Sequence, residues 1–350
     1  MSKQPFFVPN YYKDFRCKGG ECRRSCCGGW PIAVSMEEYF RLIGMDCSPE
    51  LRRHLDCAFR SADDPDEEHY AQICPNYAGD CPMHLENGLC GIQCEAGEVA
   101  LPDICRLFPR AAYRFGEEAF CVCSSACERT VELLTENEAP LRVTEIELPS
   151  FLLKHARGVD RSPERAAIRR FCLETIEDRT LPLSRRIDRI AAYLHGEAES
   201  ATGNAASLSA DSVFSVQVAL ATHYAEHSES VGEYCRLALE ALPSRAAFEA
   251  GLQRLTERLP SLWCWLEKLL ANYMLQECFP YTGREQELPY EGAALCGVYA
   301  FCLFLLCGCQ PQDRAAFVDL MSAAFRLIGH TAFDHNAIVL MRKSLNSATN

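Results

Sequence analysis

The sequence predicts an α+β chain that is mostly α: an irregular, cysteine-rich N-terminal domain over residues 1–145, packed on an all-α helical domain over residues 146–350. Two observations divide it. Fourteen of the 22 cysteines fall between Cys17 and Cys127, in sequence broken by Gly and Pro. Beyond Pro149 the composition turns to long stretches rich in Ala, Leu, Glu and Arg, which suit helices. An apolar content of 48% over 350 residues is enough to bury a substantial core.

The elements follow in order. After the first cysteine loop, PIAVSMEEYFRLIGM reads as an entry strand or turn and then a helix, with Ser35 as N-cap and Glu38 closing a capping box. The acidic run Asp63 to Glu68 is a solvated loop. Cys74 to Arg110 is a second irregular region, with Asn87-Gly88 marking a tight turn. Tyr113 to Val122 is a hairpin turning at Gly116-Glu117, Ser124 to Thr135 a short helix, and Leu141 to Pro149 a last strand or extended linker. Helices are expected over Pro163 to Ile176, Leu183 to Leu194, Asp211 to His227, Val231 to Leu242, Ser244 to Leu259, Leu262 to Glu277, Gly292 to Cys307 and Asp313 to Ile328. Glu197 to Ala210, rich in Ser, Ala and Asn, is the expected flexible loop. Ala293 to Cys309 is the most apolar stretch, but it falls short of the roughly 18–20 residues that cross a bilayer. It reads as a buried central helix, with no membrane partner.

A formal charge of −13 and a pI near 5.2 argue against a nucleic-acid or anionic-membrane partner, since both want a basic face. They suit a lysine-bearing one. The opening MSKQPFFVPN is short and interrupted by two prolines, which places the chain in a reducing cytoplasm. There, clustered cysteines act as ligands, catalysts or core residues rather than as disulfides. The eight cysteines from Cys172 to Cys309 lie in helix-like sequence and read as small buried apolar groups.

The first set asks for chemistry, and makes the N-terminal domain metal-binding. Cys17, Cys22, Cys26 and Cys27 share one segment with Gly19, Gly20, Gly28 and Gly29, and glycine lets a ligand loop adopt the backbone angles that wrapping an ion requires. Cys81 and Cys90 follow, with Cys74 and Cys94 near them, then Cys105, and then Cys121, Cys123 and Cys127. No pair has C-x2-C spacing, the ferredoxin patterns fail, and Gly29 stands where the last cysteine of a C-x3-C-x2-C loop would be. All-thiolate ligation favours iron–sulfur or zinc. Adjacent Cys26 and Cys27 point apart, so they serve different ligands or one is structural. Cys47, Cys57 and Cys94 read as plain buried thiols.

Other motifs are weaker. His223-x-x-Glu226-His227 matches the H-x-x-E-H of one zinc-peptidase class, but a polar helix face is the simpler reading. Phosphate-loop, hydrolase-elbow and dinucleotide-binding glycine motifs are absent. The aromatics of Trp263 to Pro280 read as core.

Phe15-x-Cys17-x-Gly19, Cys22, Cys26-Cys27-x-Gly29-Trp30, Cys81-Pro82, Gly88-Leu89-Cys90-x-Ile92, Gly97-Glu98 and Cys105-x-x-Phe108-Pro109-Arg110 together resemble the flagellin lysine-N-methylase family, within a broader group of zinc- or iron-chelating cysteine-cluster proteins. The match is specific from about Tyr11 to Leu134, and Cys127 resembles a family cysteine that opens a helix. Asn272-Tyr273, Phe279-Pro280 and, more loosely, Arg326 with His330 are similar to the family's helical half. Cys74, Cys94, Cys121 and Cys123 depart from its pattern. The resemblance implies methyl transfer from S-adenosylmethionine to lysines of flagellin, with an iron–sulfur cluster, 4Fe-4S in kind, as cofactor and zinc as the alternative. Its ligand pool is Cys17, Cys22, Cys26, Cys27, Cys81, Cys90, Cys105 and Cys127. Trp30 and Arg110, beside the ligand loops, are candidates either for contacts to the methyl donor, by stacking and by pairing with its carboxylate, or for structural roles, the simpler reading for Trp30. Asn272 and Tyr273 are candidates either for the substrate side or for the core. The alternative from another class is a non-catalytic protein that stores, delivers or is stapled by zinc or iron.

Overall fold

The proline-broken opening of the chain forms strand β1 (Lys3–Pro9), with Phe6 and Val8 fully buried. The computed structural model describes residues 2–196, 210–283 and 287–348. The chain divides into two compact units: Arg16–Pro109, and the discontinuous pair Met1–Phe15 and Arg110–Asn350.

In Arg16–Pro109, β2 (Ile32–Val34), β3 (Phe59–Ser61) and β4 (Ala71–Ile73) form an antiparallel sheet of order β2-β4-β3. Helices α1 (Met36–Ile43), α2 (Pro49–Ala58), α3 (Gly91–Ala96) and α4 (Asp103–Leu107) belong to the same unit, and Val34, Leu42, Leu55, Ile73, Met83 and Ile92 share its core. The expected capping box is present: Ser35 Oγ accepts from the Glu38 N–H, and Glu38 accepts from the Ser35 N–H. The run from Asp63 to Glu68 is solvated.

In the other unit the hairpin of β5 (Arg110–Phe115) and β6 (Glu118–Cys123) turns at Gly116-Glu117 as expected, with Gly116 at φ +62°. Helix α5 (Glu128–Thr135) follows, then β7 (Val143–Pro149) and β8 (Arg157–Val159). The sheet runs β7-β1-β6-β5-β8, with β1 antiparallel to β7 and parallel to β6. The stretch ending at Pro149 is therefore a paired strand, and β8 follows it. The helices are α6 (Pro163–Glu177), α7 (Leu183–Leu194), α8 (Ala210–His227), α9 (Gly232–Ala241), α10 (Arg245–Arg258), α11 (Leu262–Gln276), α12 (Leu288–Cys309), α13 (Arg314–His330) and α14 (Phe333–Ala348). Eight match expectation within a few residues; α14 was not expected. The flexible loop expected over Glu197 to Ala210 lies, but for Ala210, outside the described residues.

The architecture is an α+β N-terminal part followed by a helical C-terminal region. The compact units change over at Phe15/Arg16 and Pro109/Arg110, whereas the composition shifts near residue 145, because the five-stranded sheet shares its unit with the helices.

One expectation needs correction. The apolar stretch was expected to be too short to cross a bilayer, but α12 has 22 residues and is long and apolar enough by length and composition. Residues at its start, from Leu288, extend the helix beyond the apolar run. Its most apolar window is 72% buried inside the protein, as in a central core helix. Gly308 sits so close to Ala238 of α9 that a Cβ there would strike its backbone.

Candidate metal centre

Two loops of the Arg16–Pro109 unit are joined backbone to backbone. The Cys81 N–H donates to the Cys27 carbonyl at 2.6 Å, the Gly29 N–H donates to the Gly79 carbonyl at 2.9 Å, and Gly28 and Asp80 form an antiparallel bridge. Further along, Gly20 lies against the Asn87-Gly88 turn: a Cβ on Gly88, at φ +79°, would come within 2.6 Å of the Gly20 Cα, and one on Gly20 would strike the Asn87 carbonyl. These glycines permit two loops to touch, a different reason from wrapping an ion. The second loop then folds on itself through a bridge between His84 and Cys90.

That stitching gathers four of the candidate thiols. Burial, with Cys27, Cys90 and Asp80 adding to it and a hydrogen bond from the Met83 backbone opposing it, pushes the Cys81 thiol up to about 11. Cys90, the residue preceding α3, is raised by burial and by Cys27 and Cys94. Cys105, on α4, is raised by the surrounding protein and then by Cys81, Cys27, Cys90 and Glu38, although the residue as a whole is exposed. Cys27, Cys81, Cys90 and Cys105 thus share one electrostatic neighbourhood. Glu38 holds its edge: besides capping α1, it accepts from the Asp103 N–H at the start of α4 at 2.6 Å.

Among the described residues no three His, Cys, Asp or Glu side chains close to coordination distance. The thiols of Cys81, Cys90 and Cys105, raised above their ordinary range, are of the kind that a thiophilic cation would stabilise as thiolates. Such a centre would be held by Cys27, Cys81, Cys90 and Cys105. Cys17, Cys22 and Cys26 lie on the first loop, where the Gly19 N–H meets the Cys17 Sγ at 3.4 Å. Cys127 belongs to the other unit, where it precedes α5 and acts on Cys123. Cys47 is half-buried against the core as a plain thiol would be. Cys57 and Cys94 are exposed, contrary to the expectation of buried thiols, because both fall on outward faces of short helices. Among the later eight, Cys172, Cys235, Cys278, Cys302 and Cys307 are buried as expected, while Cys264, Cys296 and Cys309 are half-buried.

Trp30 is half-buried, its ring 6.3 Å from that of Phe108. Arg110, in the other unit, lies over the Phe15 ring at 5.4 Å and acts on Tyr12, Cys121 and Cys123. Asn272 is a core residue: its amide donates to the Cys123 carbonyl and to Ser125 Oγ, both at 3.0 Å, and its Oδ1 accepts from the Tyr11 hydroxyl at 2.6 Å. Tyr273 is buried, with its hydroxyl 3.3 Å from Asp334. His223 and His227 are exposed and stack on each other at 4.7 Å, with His227 Nδ1 meeting the His223 carbonyl at 2.7 Å. That is a self-satisfied helix face. Sequence reading missed Glu38 and Asp80 beside the thiols; the capping box flagged Glu38, but nothing local announced its reach to α4.

Over 143 residues the chain is 29% identical to the lysine-N-methylases of Salmonella choleraesuis and Salmonella typhimurium, covering 37% of this chain and 33% of each relative. The chain resembles the lysine-N-methylases. The matched stretch spans about a third of their length. The flagellar biosynthetic protein FliU of Salmonella muenchen is likewise 29% identical over 143 residues, and there 78% of the relative is covered. No model of a known protein family matches the chain. No solved structure matches it.

Proposed function

We propose that the chain is a protein-lysine N-methyltransferase that moves a methyl group from S-adenosylmethionine to lysine ε-amines of flagellin in the cytoplasm, with an iron–sulfur centre held by thiolates of the Arg16–Pro109 unit. The similarity to lysine-N-methylases carries the reaction class, and the name of the FliU relative supports a flagellar substrate. The gathering of Cys27, Cys81, Cys90 and Cys105 supports the metal.

A free lysine titrates near 10.4 and is mostly protonated in neutral solution, so the acceptor amine first sheds a proton to a base or to water. Its lone pair then forms the N–C bond as the methyl–sulfonium C–S bond breaks, and S-adenosylhomocysteine leaves. Thiolates drawn from Cys27, Cys81, Cys90 and Cys105 would hold such a cluster, which when bound would supply a Lewis-acidic iron to bind the methyl donor. The paired glycines at positions 20 and 88 fix the two cysteine loops against each other. Trp30 and Arg110 are separate candidates for donor contacts.

A second reading is a non-catalytic zinc- or iron-binding protein. Cys81 and Cys90 pack against the core of their unit, and four thiolates fill a closed tetrahedral zinc site.

Purification without oxygen, followed by iron, acid-labile sulfide and zinc analysis and by transfer of labelled methyl groups to flagellin, separates the two. Iron with matching sulfide, and transfer lost to background in Cys81→Ser and Cys90→Ser, is the expected result. Zinc alone without transfer establishes the second reading. Equal transfer by iron-stripped protein removes the cluster from the mechanism.

A further inference from the structure

Away from the cysteine loops, one buried and one half-buried arginine of the larger unit have no acidic partner among the described residues. Arg169, on α6, is 8% exposed, and its Nη2 donates to the Tyr113 hydroxyl at 2.6 Å. Its cation lies over the rings of Phe120 at 5.0 Å, Phe115 at 5.5 Å and Tyr113 at 5.9 Å. Arg157, on β8, donates from Nη2 to the Glu277 carbonyl at 2.8 Å. Both guanidinium groups also hydrogen-bond to the fully buried Cys278 side chain, whose backbone is held at φ +55°.

Three polar atoms of this cluster are buried without a hydrogen-bond partner: Arg157 Nε, Arg169 Nε and the Tyr281 hydroxyl. Tyr281 stacks on Phe115 with centroids 6.4 Å apart, and Arg165 lies over its ring at 4.9 Å. Neighbouring Arg161 is already paired with Glu118 at 2.5 Å, and Glu164 is the carboxylate that bears on Tyr281. Aromatic faces stabilise the flat side of a guanidinium, but its N–H groups lie in the plane and require acceptors at the edge. All three orphaned groups can donate, and a protein with net charge −13 places no carboxylate against either arginine among the described residues. Beyond their bonds to Tyr113, the Glu277 carbonyl and Cys278, the two guanidinium groups each keep one buried Nε–H without an acceptor, and buried cationic donors left over in this way suit an anion.

We propose that Arg157, Arg169 and Tyr281 form a binding site for a small oxyanion, a carboxylate or phosphate group, with the two guanidinium forks as its principal donors. The site is independent of the cysteine centre and of the methyl-transfer reading.

The test titrates the full chain with sodium phosphate and with sodium acetate, each against sodium chloride at matched ionic strength, following thermal unfolding and isothermal calorimetry. A saturable rise in Tm with phosphate or acetate beyond chloride is expected, with binding at least tenfold weaker in Arg157→Lys and Arg169→Lys, which keep the charge but lose the fork. A response to phosphate alone identifies a phosphoryl ligand and a response to acetate a carboxylate; either supports the site. Chloride acting as strongly, or variants binding as tightly as the wild type, overturns it. Should Arg169→Lys fail to fold by circular dichroism, Arg157→Lys and Tyr281→Phe carry the same comparison.

Discussion

Asn272 is fully buried, and both ends of its amide are used, towards the Tyr11 hydroxyl, the Cys123 carbonyl and Ser125. Replacement by leucine keeps the volume and strands those partners without water. Asn272→Leu is expected to destabilise the protein by about 2–4 kcal/mol in urea denaturation, since buried groups lose their bonds together. A substrate-side role would instead leave stability unchanged and lower methyl transfer. Glu177 sets a pH dependence. Burial raises its carboxyl, and Glu267 adds to the rise, while Arg142 at 3.2 Å and Arg179 oppose it. The unfolded chain therefore loses this proton first as pH climbs past 4.5, and the folded state binds more protons until its own raised pKa is passed, so stability falls across that window. Glu177→Gln removes the fall. Its stability relative to wild type is expected to grow by up to about 1 kcal/mol between pH 4 and pH 7, the partial exposure of the pair keeping the effect small; a flat difference would mean that Glu177 titrates alike in both states.

The Asn87-Gly88 turn and the loop containing Gly20 depend on each other, and alanine scanning can tell a strained angle from a blocked approach. Gly88 and Gly97 both have positive φ, +79° and +80°, but a Cβ on Gly97 meets nothing while one on Gly88 meets Gly20. Gly97→Ala is expected to cost about 1 kcal/mol from backbone angle alone, and Gly88→Ala about 2–4 kcal/mol with a lower metal content in the intact protein; equal Tm losses would show that the loops can part without consequence. The same pair explains what could be read from the sequence. The turn was legible because Asn-Gly is a local signal, as were the Ser35 capping box, the Gly116 hairpin and the caps and periodicity of the helices. Its partner was not, because Gly20 lies far off in sequence and no spacing rule links them. The grouping of Cys27, Cys81, Cys90 and Cys105 depends on that loop contact, so the sequence could offer only a pool of cysteines. Strand β1 hid for a related reason: Pro5 and Pro9 mask its alternation, and its partners β6 and β7 lie more than a hundred residues away. The arginine cluster was silent because Arg157 and Arg169 meet Cys278 and Tyr281 only in the folded unit.

The chain as a whole is nested. Residues Arg16–Pro109 stand between β1 and β5, two strands of one sheet, and the residues flanking that excursion, Phe15 and Arg110, meet as a cation over an aromatic ring at 5.4 Å. Departure and return are therefore neighbours, the usual condition under which a sheet tolerates a guest domain. A ribosome delivers β1 first, yet β6 and β7, the strands it pairs with, emerge only after the whole guest has been made. For that interval β1 is an unpaired edge carrying Phe6, Phe7 and Val8, and a guest that folds early shortens the wait by drawing Phe15 and Arg110 together.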